Sequence, residues 1–290
     1  MSKSTTLRLL MPQWQGGDVP NAYPLGARLT QWLAPKTDAV TVEVPTIEPD
    51  GSPRTEQDGI VERRNLMRQL HSAQDIINAY SPERVVVFGG DCLVEQGPIS
   101  YLNKRYEGEL GVLWMDAHPD VTTPKEFNHA HTMVLGNLLG DGDTQFAAEV
   151  PVKLKSGHVM FAGLQETTDQ ETEYIKEKNL RYARPEELSD NSSPILEWIR
   201  EAGIKKMYIH LDLDVLDPGL FRNLLFSNPM PDPENCMDFS MGAMNFAQVT
   251  RVLKDVSAHA DVVGMGITEQ LPWDAINLKD MLSEVPVLNS

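Results

Sequence analysis

Cysteine is nearly absent from this 290-residue chain, which has only Cys92 and Cys236. Two residues so far apart exclude a disulfide framework. Long apolar runs are missing too. No stretch approaches the roughly 20 residues that a bilayer-crossing helix needs, so no membrane partner is expected. The polar start Met1–Arg8 gives way only to the short run Leu9–Met11. No secretory leader is therefore expected, and a cytoplasmic, reducing location is the default. Basic residues are scarce: 25 Lys and Arg stand against 42 Asp and Glu, for a formal net charge of −17. That deficit argues against a nucleic-acid partner, which needs clustered cations for phosphate contacts. It suits a cationic small molecule, although plain solubility also explains an acidic balance. The chain shows no repeat, low-complexity tract or long linker, so one domain over residues 1–290 is expected.

What is present is a regular alternation. The runs Leu7–Met11, Val40–Val44, Val85–Phe88, Gly111–Met115, Val159–Ala162, Met207–Leu213 and Val262–Ile267 read as buried strands. Between them, residues 60–80 place Ile60, Leu66, Leu70, Ala73 and Ile77 on one helical face, and residues 245–258 do the same with Phe246, Val249, Leu253 and Val256. Residues 131–140 and 194–202 are shorter helical candidates. The Pro-, Asp-, Asn- and Ser-rich stretches 46–59 and 222–240 read as loops. Strands alternating with helices predict a three-layer α/β/α fold with a mostly parallel central sheet. In such folds ligands bind beyond the carboxyl ends of the strands.

Two strands end in clusters of metal-binding residue types. Gly111–Met115 runs into Asp116-Ala117-His118-Pro119-Asp120, and Met207–Leu211 runs into Asp212-Leu213-Asp214-Val215-Leu216-Asp217-Pro218. Residues two apart in extended chain point the same way. Asp116, His118 and Asp120 therefore converge if the chain stays extended, as do Asp212 and Asp214. Crowded carboxylates repel one another and raise their own pKa values unless cations sit among them. Carboxylates mixed with imidazole suit Mn, Zn or Fe rather than a soft-metal site. A loop or helix cap accounts for either cluster alone. Two clusters, each directly after a buried strand, are far harder to explain that way.

The pair DAHPD (116–120) and DLDVLDP (212–218) resembles the signature pair of the arginase/ureohydrolase family. Phe88-Gly89-Gly90-Asp91-Cys92 sits where that family has a Gly-Gly-Asp-His or Gly-Gly-Asn-His turn, and Gly264–Glu269 resembles its C-terminal landmark. The resemblance runs from about Val85 to Glu269. It implies two Mn2+ per chain, with Asp116 and Asp212 bridging both, Asp120 completing the first site, and His118 with Asp214 completing the second. It implies a metal-activated water that attacks a guanidinium carbon and releases urea and an amine. Glu269 would hold the guanidinium, and His131 would relay protons, with His129 as its competitor. Thr122 and Asn128, in the loop after the first Asp cluster, would hold the substrate's far carboxylate, with Lys125 nearby. Asp169 would meet its ammonium or serve as a helix N-cap, and Asp217 would support the turn before Pro218. A homo-oligomer is also implied by the resemblance.

Cys92 departs from the pattern, because the family has a histidine ligand for the first metal there. A thiolate prefers softer ions than Mn, and a small buried apolar role explains a cysteine equally well. The first site is therefore expected to be the weaker one. The expected activity is metal-dependent hydrolysis of a guanidino compound, arginine or a relative such as hydroxyarginine or agmatine. The alternatives are a single-metal, deacetylase-like hydrolase and a binding protein that has lost activity.

Overall fold

The computed structural model describes residues 5–230 and 240–288; Cys236 lies outside them. Eight strands form one sheet: β1 (Thr6–Met11), β2 (Val40–Glu43), β5 (Arg84–Gly89), β6 (Leu110–Met115), β7 (Val159–Ala162), β8 (Arg181–Ala183), β9 (Lys206–Asp212) and β10 (Asp261–Thr268). Their spatial order is β2-β1-β5-β10-β9-β6-β7-β8, and every pairing is parallel. A separate antiparallel hairpin joins β3 (Glu56–Gln57) to β4 (Ile60–Val61). The seven expected strands are all present. β8 and the hairpin are additions: β8 is too short and polar to signal itself, and Ile60, expected on the helical face of residues 60–80, lies instead in β4, with the helix beginning at Arg63.

Helices cover both faces of the sheet. On one side, α2 (Arg63–Tyr80), α3 (Gln96–Arg105) and α4 (Val134–Leu139) pack with α5 (Thr144–Ala148) and α6 (Asp169–Glu177) over a core containing Leu9, Val87, Val112, Trp114 and Tyr208. On the other, α7 (Ser193–Ala202) and α8 (Phe246–His259) cover Leu113, Met115, Ile209 and Leu211. There Ala27 of α1 (Tyr23–Leu33) meets Leu10 and Phe88. The last α-helix of the described residues is α9 (Trp273–Ser283), followed by a short 3-10 turn, Pro286–Leu288. The expected three-layer α/β/α architecture is the one observed. The order of the strands creates the site. The chain passes from β5 to β6 while leaving a gap, which β9 and β10 later fill from the distal end of the sequence. Four central strands, β5, β10, β9 and β6, thus open their carboxyl ends side by side, and β6 is buried along its whole length.

Candidate active site

Each central strand delivers chemistry just past its end: Cys92 after β5, Glu269 after β10, Asp212 and Asp214 from β9, and Asp116, His118 and Asp120 after β6. The convergence comes from turns rather than from extended chain. Asp116 Oδ1 accepts the His118 amide at 2.6 Å, and Asp212 Oδ1 accepts the Asp214 amide at 2.7 Å. Both are Asx turns, in which one carboxylate oxygen ties down the backbone; the other accepts from Trp114 Nε1 at 3.1 Å in Asp116 and from Cys92 Sγ at 3.0 Å in Asp212. After Asp212 the chain winds into a short 3-10 turn, Leu213–Val215. Asp120 and Glu269 both hold left-handed backbones, with φ of 51° and 61°. Such conformations cost about 1–3 kcal/mol each and persist where the surroundings demand them. For Asp120 the demand is visible: its carbonyl accepts the amides of Leu135 and Gly136 at the start of α4.

The turn bearing Cys92 is pinned from below. Asp91 accepts from Gln13 Nε2 at 2.9 Å, the Gly16 amide at 2.9 Å and the Leu93 amide at 3.1 Å. Gly90 is required because a Cβ there would lie 1.8 Å from the Gln13 carbonyl oxygen.

The donors fall into three overlapping groups, each with its ligand atoms within 4.8 Å of one another: Asp116, His118 and Asp214; Cys92, Asp212 and Glu269; and Cys92, Asp116, Asp120 and His210. His118 Nδ1 lies 3.1 Å from Asp214 Oδ2 and 3.4 Å from Asp116 Oδ1. Cys92 Sγ donates to Asp212 Oδ2 at 3.0 Å. Burial, then the neighbouring carboxylates, holds Asp120, Asp212 and Glu269 well above the usual carboxylate range. Burial, then Asp212, likewise pushes the Cys92 thiol up. Asp116 alone is held below the usual range, because His118 and His210 outweigh its burial. A buried excess of negative charge in this arrangement calls for a cation. The Asp120 Oδ2 atom, buried without a hydrogen-bond partner, points to the same need. Carboxylates and imidazole fit a divalent ion of the Mn, Zn or Fe type; a neutral Cys92 thiol does not contribute to that fit.

Above these groups opens a cavity of about 700 Å3, lined at its base by His118, Asp120, Asp212, Asp214 and Glu269, and by His131 on its wall. Thr122 and Lys125 line it, with Thr122 Oγ1 donating to the Thr132 carbonyl at 2.9 Å and lying 2.6 Å from the Thr132 hydroxyl. Asn128 does not. Its Nδ2 donates to Glu56 Oε2 at 2.9 Å, because the β3–β4 hairpin draws that end of the loop away. Asp169 is also absent from the lining and is exposed. The N-cap of α6 is Thr168, in a capping box with Glu171, so Asp169 is the first helical residue instead. His131 rather than His129 reaches the cavity. Its Nδ1 lies 2.7 Å from the Gly16 carbonyl, which can only accept, so Nδ1 carries the proton. Burial, then His129, lowers His131 to about 4, leaving it neutral at pH 7. Asp217 caps its own turn by accepting the Gly219 amide at 2.7 Å, as expected of a supporting residue.

Two contributors escaped the sequence reading. Tyr23, buried at the start of α1, donates to Glu269 Oε2 at 2.5 Å across 246 positions of sequence; no local signal announces it. His210 sits inside the apolar run of β9, where a histidine reads as core. Its Nδ1 meets Glu95 Oε1 at 2.9 Å, and its ring stacks on Trp114 with centroids 3.7 Å apart.

The family model that matches is described as the Arginase family, over residues 28–222, a span that includes both Asp segments and ends before Glu269. The arginase of Bacillus caldovelox is 32% identical over 143 residues, 46% of this chain and 47% of that protein. The arginase of Staphylococcus aureus (strain COL) is 26% identical over 140 residues, 46% of each. The matched segment thus spans about half the length of these curated relatives. Among solved structures, the arginase of Entamoeba histolytica in complex with L-ornithine matches with a TM-score of 0.76, covering 97% of both chains at 17% identity. At that identity the likeness is one of fold, and it extends over the whole sheet described above. The chain belongs to the arginase family.

Proposed function

We propose that this protein is a metal-dependent hydrolase that cleaves a guanidino compound, arginine or a relative such as hydroxyarginine or agmatine, to urea and an amine. The observation that carries this reading is a crowded, buried set of cation-binding side chains with an oriented carboxylate next to it at the base of one cavity. Asp116, His118, Asp120, Asp212 and Asp214 form a carboxylate-rich cation site, and Glu269 stands beside it as a separate, oriented carboxylate. Asp116 and Asp212 would be shared by two Mn2+ ions, with Asp120 on the first and His118 and Asp214 on the second. When bound, such a pair supplies a water acidified enough to serve as a nucleophile near neutral pH.

The chain's own residues do the rest. Tyr23 holds Glu269 by Oε2, and Oε1, which takes only a 3.7 Å contact from the Cys92 thiol, is the oxygen that would meet a planar cation. Burial raises the pKa of Glu269, and an arriving guanidinium lowers it again by a charge-assisted pair. Positive charge is thus favoured where the scissile carbon must lie. His131, neutral and protonated on Nδ1, presents the Nε2 lone pair. That nitrogen can take a proton and return it to the departing amine. Lys125 on the cavity wall offers an ammonium to the substrate's far end, beside Thr122, whose hydroxyl proton goes to the Thr132 carbonyl.

The experiment is direct. Protein purified with Mn2+ is analysed for bound metal, and urea release is assayed across arginine, hydroxyarginine, agmatine and a series of guanidino acids. Urea from at least one substrate, abolished by chelation, is the expected result. A protein that binds no metal and releases no urea from any of them refutes the reading.

A further inference from the structure

The first metal position, read from sequence, has lost its nitrogen: Cys92 stands where a histidine is expected. The structure contains a histidine that fills the same space from another strand. His210 lies two residues before Asp212 on β9 and projects from the same sheet face. It is fully buried, and its Nε2 makes no well-formed hydrogen bond, lying 3.4 Å from Asp116 Oδ2. The ligand atoms of His210, Asp116, Asp120 and Cys92 all fall within 4.8 Å of one another. The buried Asp120 Oδ2, also without a partner, belongs to this group.

The ring is held as metal-bound imidazoles are held. A ligating histidine gives its other ring nitrogen to a carboxylate, which fixes its tautomer and aim. Here Glu95 Oε1 takes Nδ1 at 2.9 Å, and Trp114 stacks against the ring face. Glu95 has room for this only because Gly266 faces it from β10: a Cβ at Gly266 would lie 2.0 Å from the Glu95 carboxyl carbon. Gly266 and Trp114 are also the direct neighbours of His210 in the two flanking strands. Cys92 and Glu95 share one short turn, Cys92–Glu95. The same turn therefore carries a side chain small enough to admit an imidazole and the carboxylate that orients it.

We infer that His210 supplies the nitrogen ligand of the first metal position, in place of the histidine that Cys92 replaces. The inference rests on the metal-dependent reading above. It makes the first site an Asp116–Asp120–Asp212–His210 set, with Glu95 as its positioning residue. Cys92 contributes space rather than a bond.

The test is reconstitution of the purified protein with Co2+. Bound cobalt is counted by elemental analysis, and imidazoles per cobalt by X-ray absorption at the cobalt edge. The wild type is expected to bind two ions with an average of one imidazole each, from His118 and His210. His210→Ser is expected to keep one ion, and Cys92→Ser both. Adding Cys92→His to the His210→Ser chain returns the nitrogen from the other strand and is expected to restore the second ion. This also guards against His210→Ser acting through misfolding. Glu95→Gln is expected to weaken one of the two ions by about 10–100-fold. Cobalt binding that His210→Ser leaves unchanged, or half an imidazole per cobalt in a two-ion wild type, overturns the role of His210 alone. A wild-type chain that binds no cobalt overturns the metal-dependent reading and this inference with it.

Discussion

Two buried ionic clusters lie on the same side of the sheet, and they are built on opposite plans. In the first, Arg63 of α2 meets Asp143 in a bidentate pair, with Nη1 and Nη2 at 2.7 and 2.6 Å from the two carboxylate oxygens. Two further guanidinium protons go to the carbonyls of Gln57 and Asp58, and Asp143 also accepts the Gln145 and Phe146 amides at the start of α5. Charge is matched, and all three guanidinium nitrogens donate. The second is the strand-end site. There Asp116, Asp120, Asp212, Asp214 and Glu269 crowd together, and the described cations near them are histidines alone. A complete cluster holds the fold, whereas an incomplete one, kept buried at a cost in stability, is reserved for something that arrives later.

The sharpest way to break this contrast is to remove one carboxylate from each cluster. On the proposed reading Asp116→Ala removes a carboxylate that two ions would share, and it should lower urea release by at least about 10^3-fold, since the catalysis at stake is several kcal/mol. In chelator-treated protein Asp120→Ala, which removes a carboxylate that burial and then Asp116 hold above its ordinary range, should leave stability unchanged or raised. Asp143→Ala should do the reverse. It strands a buried guanidinium and should destabilise by about 3–5 kcal/mol in urea denaturation, with little effect on the KM of whatever protein remains folded. If Asp143→Ala is as mild as a surface change, the first cluster is not the structural pair described.

How much of this was legible beforehand depended on sequence distance. β6 and β9 announce themselves as apolar runs, and Asp116–Asp120 and Asp212–Asp214 are local motifs whose turns close within two residues. The helix α3 is another matter. It buries Gln96, Ser100 and Asn103 alongside Ile99 and Leu102, so no apolar stripe marks it, and Gly97 and Pro98 argue against a helix on propensity. α1 hides for the same reason, burying Gly26 and Thr30. At the site, Tyr23 and His210 were invisible because their meaning lies in partners supplied by other elements: Glu269 for the one, Glu95 and Gly266 for the other. Asn128 and Asp169 had plausible chemistry and the wrong place, since a hairpin and a helix cap decide where their side chains go.

Filling the incomplete cluster should stabilise it measurably. At Mn2+ concentrations about 100-fold above the dissociation constant, each bound ion adds about 2.7 kcal/mol. For a chain of this size that is an upward shift of the thermal midpoint by roughly 4–5 °C per ion, read by calorimetry with and without chelator. Asp116→Ala should abolish most of the shift and Thr122→Ala none of it. A wild-type midpoint indifferent to Mn2+ would mean that the carboxylates are not reserved for a cation.

The smallest effect is one of slope with pH, and it separates the clusters by sign. Asp143 is held below its ordinary range: burial alone would raise it, but Arg63 and the amides of Phe146 and Gln145 outweigh that. Its contribution is therefore present above the unfolded pKa of about 4 and is lost as pH falls through the folded value. Asp120, Asp212 and Glu269 are held above theirs, by burial first and by each other second. In metal-free protein the folded state then binds more protons than the unfolded state from about pH 4 upward, so stability should fall as pH rises toward neutrality. Mn2+ keeps those carboxylates ionised and should flatten that slope, while the acid-side loss attributable to Asp143 persists in both forms. Urea-denaturation midpoints between about pH 3 and 8, with chelator and with Mn2+, give the two curves. Curves that run parallel across the whole range would show that the two clusters respond to protons alike, and the distinction between a closed pair and a reserved site would lose its electrostatic basis.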